Sequence, residues 1–442
     1  MALHSRVGLA GTGTCPSGGV PCPLPQWAPT YNMSRSTIFM PCNGSGFMDA
    51  AFSSLWGIVD FDWSNGKADW ANQKPMDCQE RLLAQAQQVK ARGTGTKVMV
   101  YRNLVKALPW YTDVREKVTD PAYAGWFLRF KDGAGGTGYH APPCTGNGSD
   151  LADPRKCSDL YHDQDQTPEH PHGDGSCADA CDCGEGLPCG EYLWDHRNAS
   201  LRAWLVDQYV MSPSSGVGNE NVDGIFLDDG WSNRSEPSAP WWPKEGFCSA
   251  DAHGGATEEM ANCTVDMGLG KGDVQAVYDG WRRTIDAVRT AIVGAGAYNY
   301  QMFASTKTPA ADTASCTAYL RAACKPGGAA SWQTSSALRY ELTQPATSIA
   351  SVARDVATFL LVRGPYAWIG HGWVGCAAPA HAPANETQYA RPAALDVDYG
   401  EPVDAACAEM GPAGSGVFSR KWSKASVSVD CNTLEGVIDM LA

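Results

Sequence analysis

VDGIFLDDGW, residues Val222 to Trp231, is the stretch on which the reading of this chain turns. The run Gly224-Ile225-Phe226-Leu227 is apolar on both faces and too short for a helix, which predicts a buried parallel strand. Asp228 and Asp229 follow at its carboxyl end, the edge at which parallel α/β folds carry out chemistry. Successive strand residues point to opposite faces, so only one of the two acids can face the interior fully. Paired Asp residues after a strand also cap helices and begin turns, so the stretch alone leaves a structural reading open.

Working outward, seven more segments of strand length recur: STIFM at Ser36–Met40, WGIVDF at Trp56–Phe61, KVMVY at Lys97–Tyr101, EYLWD at Glu191–Asp195, AYNYQMF at Ala297–Phe303, ALRYEL at Ala337–Leu342 and YAWIG at Tyr366–Gly370. Helical patterns separate most of them. Asp77–Ala91 repeats Leu82, Leu83, Ala86 and Val89 at three- and four-residue steps, and Asp273–Ile292 carries Val277, Trp281, Ile285, Val288 and Ile292 on one stripe. Eight strands alternating with helices predict an α/β fold, a (β/α)8 TIM barrel, over residues 31–400. Residues 1–30 read as an extended arm. Residues 131–190, rich in Gly, Pro, Asp, His and Cys, read as a disulfide-knotted loop insertion. Residues 401–442 are expected to add a small β appendage, with a hairpin over Ser415–Cys431 turning at Ser423-Lys424.

The 442 residues carry a formal charge of −14, which argues against nucleic acid or an anionic membrane as a partner, and a neutral polymer remains compatible. No run is long enough to span a bilayer. Seventeen Cys are too many for an ordinary cytosolic enzyme, and Asn32, Asn43, Asn147, Asn198, Asn233, Asn262 and Asn385 all stand in glycosylation sequons. Both counts predict a disulfide-bonded glycoprotein, secreted or on the cell surface, with at least one thiol left over because the Cys count is odd. The start, MALHSRVGLAGTGTC, holds no apolar core of signal-peptide length and is expected to be a truncated or mis-started N-terminus. CADACDC and HPH could supply zinc ligands, but their spacing fits no standard zinc module, and no metal site is expected.

On a barrel the strand-end acids Asp62, Asp195, Asp228, Asp229 and Glu341 would converge on one rim, together with Asp60. Cleaving a glycosidic bond needs two carboxyl groups, one to protonate the leaving oxygen and one to act as nucleophile or to activate water. Trp63, Trp110, Trp194, Trp231 and Trp373 follow the same strand ends, and indole faces stack on the apolar faces of sugar rings. Each tryptophan taken singly is more often a core residue than a sugar platform. A carbohydrate substrate and no cofactor follow from this reading, and a monomer is expected.

VDGIFLDD, FDWSN at Phe61–Asn65, KVMVYRN, ALDVDYGEP and SGVFSRKW together resemble the hypothetical glycoside-hydrolase-like TIM-barrel families, polysaccharide-acting proteins of microbes and algae. The resemblance implies that the strand-end Asp of GIFLD, here Asp228, is a catalytic carboxylate, with a Glu on a later strand, here Glu341. Asp228 is then the nucleophile or base and Glu341 the general acid. Asp229 would orient substrate, with Asp62 and Asp195 as secondary candidates. Tyr101 and Arg102 would donate hydrogen bonds to sugar hydroxyls, Trp63, Trp110, Trp231 and Trp373 would line the cleft, and His371 would line the rim. Two alternatives stand beside it. A non-catalytic carbohydrate-binding barrel would keep the tryptophans without both acids. IVDFDWS with GIFLDD also resembles the haloacid dehalogenase superfamily of Mg²⁺-dependent phosphatases, although Ser64 stands where Thr or Val is expected.

Overall fold

The computed structural model describes residues 30–44, 46–128, 162–163, 183–184, 187, 191–228, 271–301, 306–307, 313–324, 338–341, 349–364, 367–374, 391–412 and 414–441. Its centre is one parallel sheet built from β1 (Thr37–Pro41), β2 (Ile58–Phe61), β3 (Lys97–Asn103), β4 (Gly224–Asp228), β5 (Tyr298–Gln301), β6 (Thr306–Lys307), β7 (Leu338–Glu341) and β8 (Ala367–Val374). Across the sheet the order is β5-β4-β3-β2-β1-β8-β7-β6, and every ladder is parallel. Neighbours in space are neighbours in sequence throughout, except that the first strand pairs with the last: Thr37 lies opposite Ile369. Such an order lacks the reversal that marks the switch point of a doubly wound sheet.

The strands are apolar on both faces because both are covered. β1 and β2 are buried along their whole length, and β3 is buried from Val98 onward. Helix α1 (Cys78–Lys90) packs Leu82, Ala86 and Val89 against the sheet, and α2 (Lys271–Gly294) buries the expected stripe of Val277, Trp281, Ile285, Val288 and Ile292. Gly280 of α2 lies so close to the backbone of His196 that an added Cβ would sit 2.0 Å from its carbonyl oxygen. The predicted strand EYLWD is not part of the parallel sheet. Glu191–Leu193 pairs antiparallel with Lys106–Ala107 and His162–Asp163 in a separate three-stranded sheet, so Thr306–Lys307 takes its place in the count of eight.

The C-terminal chain forms a four-stranded antiparallel sheet of β9 (Ala408–Glu409), β10 (Val417–Lys421), β11 (Ala425–Asp430) and β12 (Glu435–Met440). It is fastened to two helices that precede it. Disulfides Cys316–Cys431 and Cys324–Cys407, with the Arg321–Glu409 ion pair at 2.7 Å, tie it to α3 (Thr313–Ala323) and its end. Buried Arg420 donates through Nη1 to the carbonyls of Leu360, Leu361 and Arg363 at the end of α4 (Ile349–Val362), closing that helix from outside. Cys42 and Cys183 are also disulfide-bonded, and Cys78 is a buried free thiol. Among the described residues no helix is long and apolar enough to cross a membrane.

Candidate active site

Asp228 ends β4 and is half-buried, opposite Asn103 of β3 in the ladder. Register partners share a face and alternate residues share it too, so Tyr101, Asn103 and Asp228 point the same way. Their contacts agree. The Tyr101 hydroxyl donates to Asp228 Oδ2 at 2.8 Å, and Asn103 Nδ2 donates to the Tyr101 hydroxyl oxygen at 2.9 Å. Asn103 is fixed in turn by its own Oδ1, which accepts from the backbone N–H groups of Val105 and Lys106 at 2.8 and 2.7 Å. The turn leaving β3 therefore orients an amide, the amide orients a phenol, and the phenol delivers a hydrogen bond to the strand-end carboxylate. Buried Asp60, in register with Met99, lies on the same face further down.

Arg102 points the other way, toward the helices. Its guanidinium donates to the carbonyls of Tyr101, Tyr209 and Ser215 and lies 5.3 and 5.1 Å from the rings of Tyr111 and Tyr209. With no exposed surface, it braces the outer layer. Burial raises the Tyr111 and Tyr209 hydroxyls above their ordinary pKa, so both are neutral around this cation.

Beyond β2, Asp62 is buried and its Oδ1 accepts from the backbone and hydroxyl of Ser64 at 2.9 and 2.7 Å, forming the turn that presents Trp63. Trp63 packs 4.9 Å from Trp110 and 6.2 Å from Trp70, and Lys67 Nζ lies 5.2 Å over its ring. Trp70 and Trp110 are fully buried and Trp63 only partly, so Trp63 is the member of this cluster with surface to offer. Cys78 sits beneath it, its thiol donating to the Trp63 carbonyl at 3.2 Å, with its pKa pushed well up by burial.

Asp195 lies away from the parallel sheet. Arg197 clasps it with Nη2 at 2.7 Å and reaches Asp273 on α2 at 2.9 Å. His371 is fully buried, opposite Phe39 in the ladder and edge-on to Trp56 at 5.6 Å. Glu341 ends β7 opposite Gly370 and Lys307, and Trp373 lies in β8. Asp229 and Trp231 lie outside the described residues. Asn103, the hinge of the hydrogen-bond chain, is absent from the sequence reading, although its place two residues after Tyr101 marks it as a same-face neighbour. Among the described residues no group of three or more His, Cys, Asp or Glu is placed to hold a metal ion.

No protein-family profile matches the chain, and no curated protein sequence does. Solved structures do. The cyclic α-maltosyl-(1→6)-maltose hydrolase of Arthrobacter globiformis is 10% identical, over 94% of this chain and 97% of that one, with a TM-score of 0.40. The α-glucosyl transfer enzyme XgtA is 13% identical, over 80% and 68%, with a TM-score of 0.37. A glycoside hydrolase domain of a PelA variant from Pseudomonas aeruginosa is 10% identical, over 76% and 94%, with a TM-score of 0.30. Likenesses of this size carry no inference about what this chain does.

Proposed function

We propose that this protein is a glycoside hydrolase that cleaves a poly- or oligosaccharide with two carboxyl groups at the carboxyl edge of a closed barrel. Closure is supported by the strand order. Only residues 302–305 lie between β5 and β6, too few for a parallel crossover, which takes about a dozen residues. β5 pairs with β4 and β6 with β7, so the two ends of the sheet are joined by a link too short to separate them widely, which favours closure.

The observation that carries the reading is the hydrogen bond from Tyr101 to Asp228. A phenol held as a donor favours the ionised carboxylate, the form required of a nucleophile or a base. Asp228 attacks the anomeric carbon or takes a proton from water, while Glu341 protonates the departing glycosidic oxygen. Asp229 orients the sugar, and Trp63, with Trp231 and Trp373, stacks against it. Asp62 shapes the turn that carries Trp63.

Asp228→Asn and Glu341→Gln, assayed on a panel of neutral oligo- and polysaccharides, are each expected to abolish hydrolysis while circular dichroism and glycan binding stay unchanged. Undiminished turnover in both would sink the assignment. Wild-type protein that binds glycans without cleaving them identifies a binding barrel, and activity on phosphate esters lost to a chelator identifies the phosphatase.

A further inference from the structure

Residues 30–34 face residues 396–398, 400–401 and 423–424 across a cleft of about 940 Å³, within the size range of small-molecule sites. One wall contains Tyr31 and Asn32, and the other Asp396, Asp398, Glu401 and Lys424. Asn32 begins the sequon Asn32-Met33-Ser34. We propose that Asn32 carries an N-linked glycan whose inner sugars lie in this cleft.

The side chain is set for it. Asn32 Oδ1 accepts from the Ser34 backbone N–H at 3.1 Å and from the Ser34 hydroxyl at 2.7 Å, capping the short helix Met33–Arg35. That engages the carbonyl half of the amide. Nδ2, the atom that takes the sugar, makes no hydrogen bond among the described residues. The modification joins Nδ2 to the anomeric carbon of an oligosaccharide delivered on a lipid pyrophosphate. Nδ2 loses one proton, the pyrophosphate leaves with the bonding electron pair, and one N–H remains on the amide. The opposite wall suits sugar hydroxyls: Asp396 and Asp398 are exposed, pair with Arg391 and Lys424, and keep carboxylate oxygens that can accept. The other described sequons differ. Asn43 is buried and its Nδ2 donates to the Phe47 carbonyl at 3.4 Å, which leaves no room for a sugar. Asn198 caps a helix beside exposed Ala199 and Ser200, and its Nδ2 donates to the Gly125 carbonyl at 3.1 Å.

The full chain, secreted from a glycosylating eukaryotic host, tests this by glycopeptide mass spectrometry and by the rate at which peptide:N-glycosidase releases each glycan from native protein. Asn32 should be occupied and Asn43 bare. Native release at Asn32 should be slowed about tenfold or more relative to denatured protein, since the enzyme must wait for the docked sugars to open. Asp398→Ala with Glu401→Ala should abolish most of that delay, and Ser34→Ala, which keeps the Oδ1 bond to the Ser34 backbone, should remove this glycan alone. An unmodified Asn32, or a native release rate that the wall substitutions leave unchanged, overturns the proposal.

Discussion

Asp228 receives its hydrogen bond from a tyrosine that is itself aimed by an asparagine, so the carboxylate is positioned at two removes by the backbone of the turn at Val105 and Lys106. Tyr101→Phe keeps the ring and its packing 5.9 Å from Phe226 but removes the donor. A hydrogen bond to a charged group contributes about 1.5–3 kcal/mol, so kcat/KM should fall by about 10- to 100-fold. The acid limb of the pH–rate profile should also move to higher pH, because the lost bond favoured the ionised form. Asn103→Ala should act in the same direction and more weakly, with the profile shift as the readout that separates positioning from lost stability. The sequence showed the acid, since an apolar run ending in a carboxylate needs no tertiary information to be recognised. Tyr101 and Arg102 were both expected to meet sugar hydroxyls, but neighbours in one strand cannot serve the same face, and the structure sends the arginine into the outer layer.

Among the elements, the fully buried strands were legible because an apolar run on both faces has few other uses, and GIFLD, KVMVY and WGIVDF all lie in the parallel sheet. EYLWD has the same local look and a different partner. Its antiparallel pairing with Lys106–Ala107 is set by where the chain returns, which no local pattern encodes. Just beyond it, His196 bridges the end of β3 to α2: its ring nitrogens meet the Leu104 carbonyl and the Thr284 hydroxyl, and burial lowers its pKa to about 4. The unfolded chain holds this imidazole near pKa 6.5, so between about pH 6.5 and 4 the unfolded state binds more protons and stability falls as pH falls. The full loss from this group is about 3 kcal/mol, complete near pH 4 and absent above pH 7. Urea midpoints at pH 5 and pH 7 should diverge for the wild type and converge for His196→Gln, which will be less stable at both. Arg420→Met should cost about 2–4 kcal/mol in the same assay, because three helix-end carbonyls lose their donor.

For the whole molecule, Cys316–Cys431 and Cys324–Cys407 close long loops between α3 and the C-terminal sheet. Replacing either pair with Ala should lower unfolding stability by about 2–5 kcal/mol. If the loss is local, limited proteolysis of the double variant will release fragments beginning after β8 while the parallel sheet survives. The ladder order has a further consequence, in time. β1 is made long before its partner at Ile369. Until then Thr37–Pro41 is an apolar strand with one edge unpaired, open to any other extended chain it meets. At roughly 5–20 residues per second that interval lasts tens of seconds, long enough for chaperones to bind the exposed edge. Ribosome-bound chains truncated before Ala367 should be captured by them, and chains released after the C-terminal sheet should not.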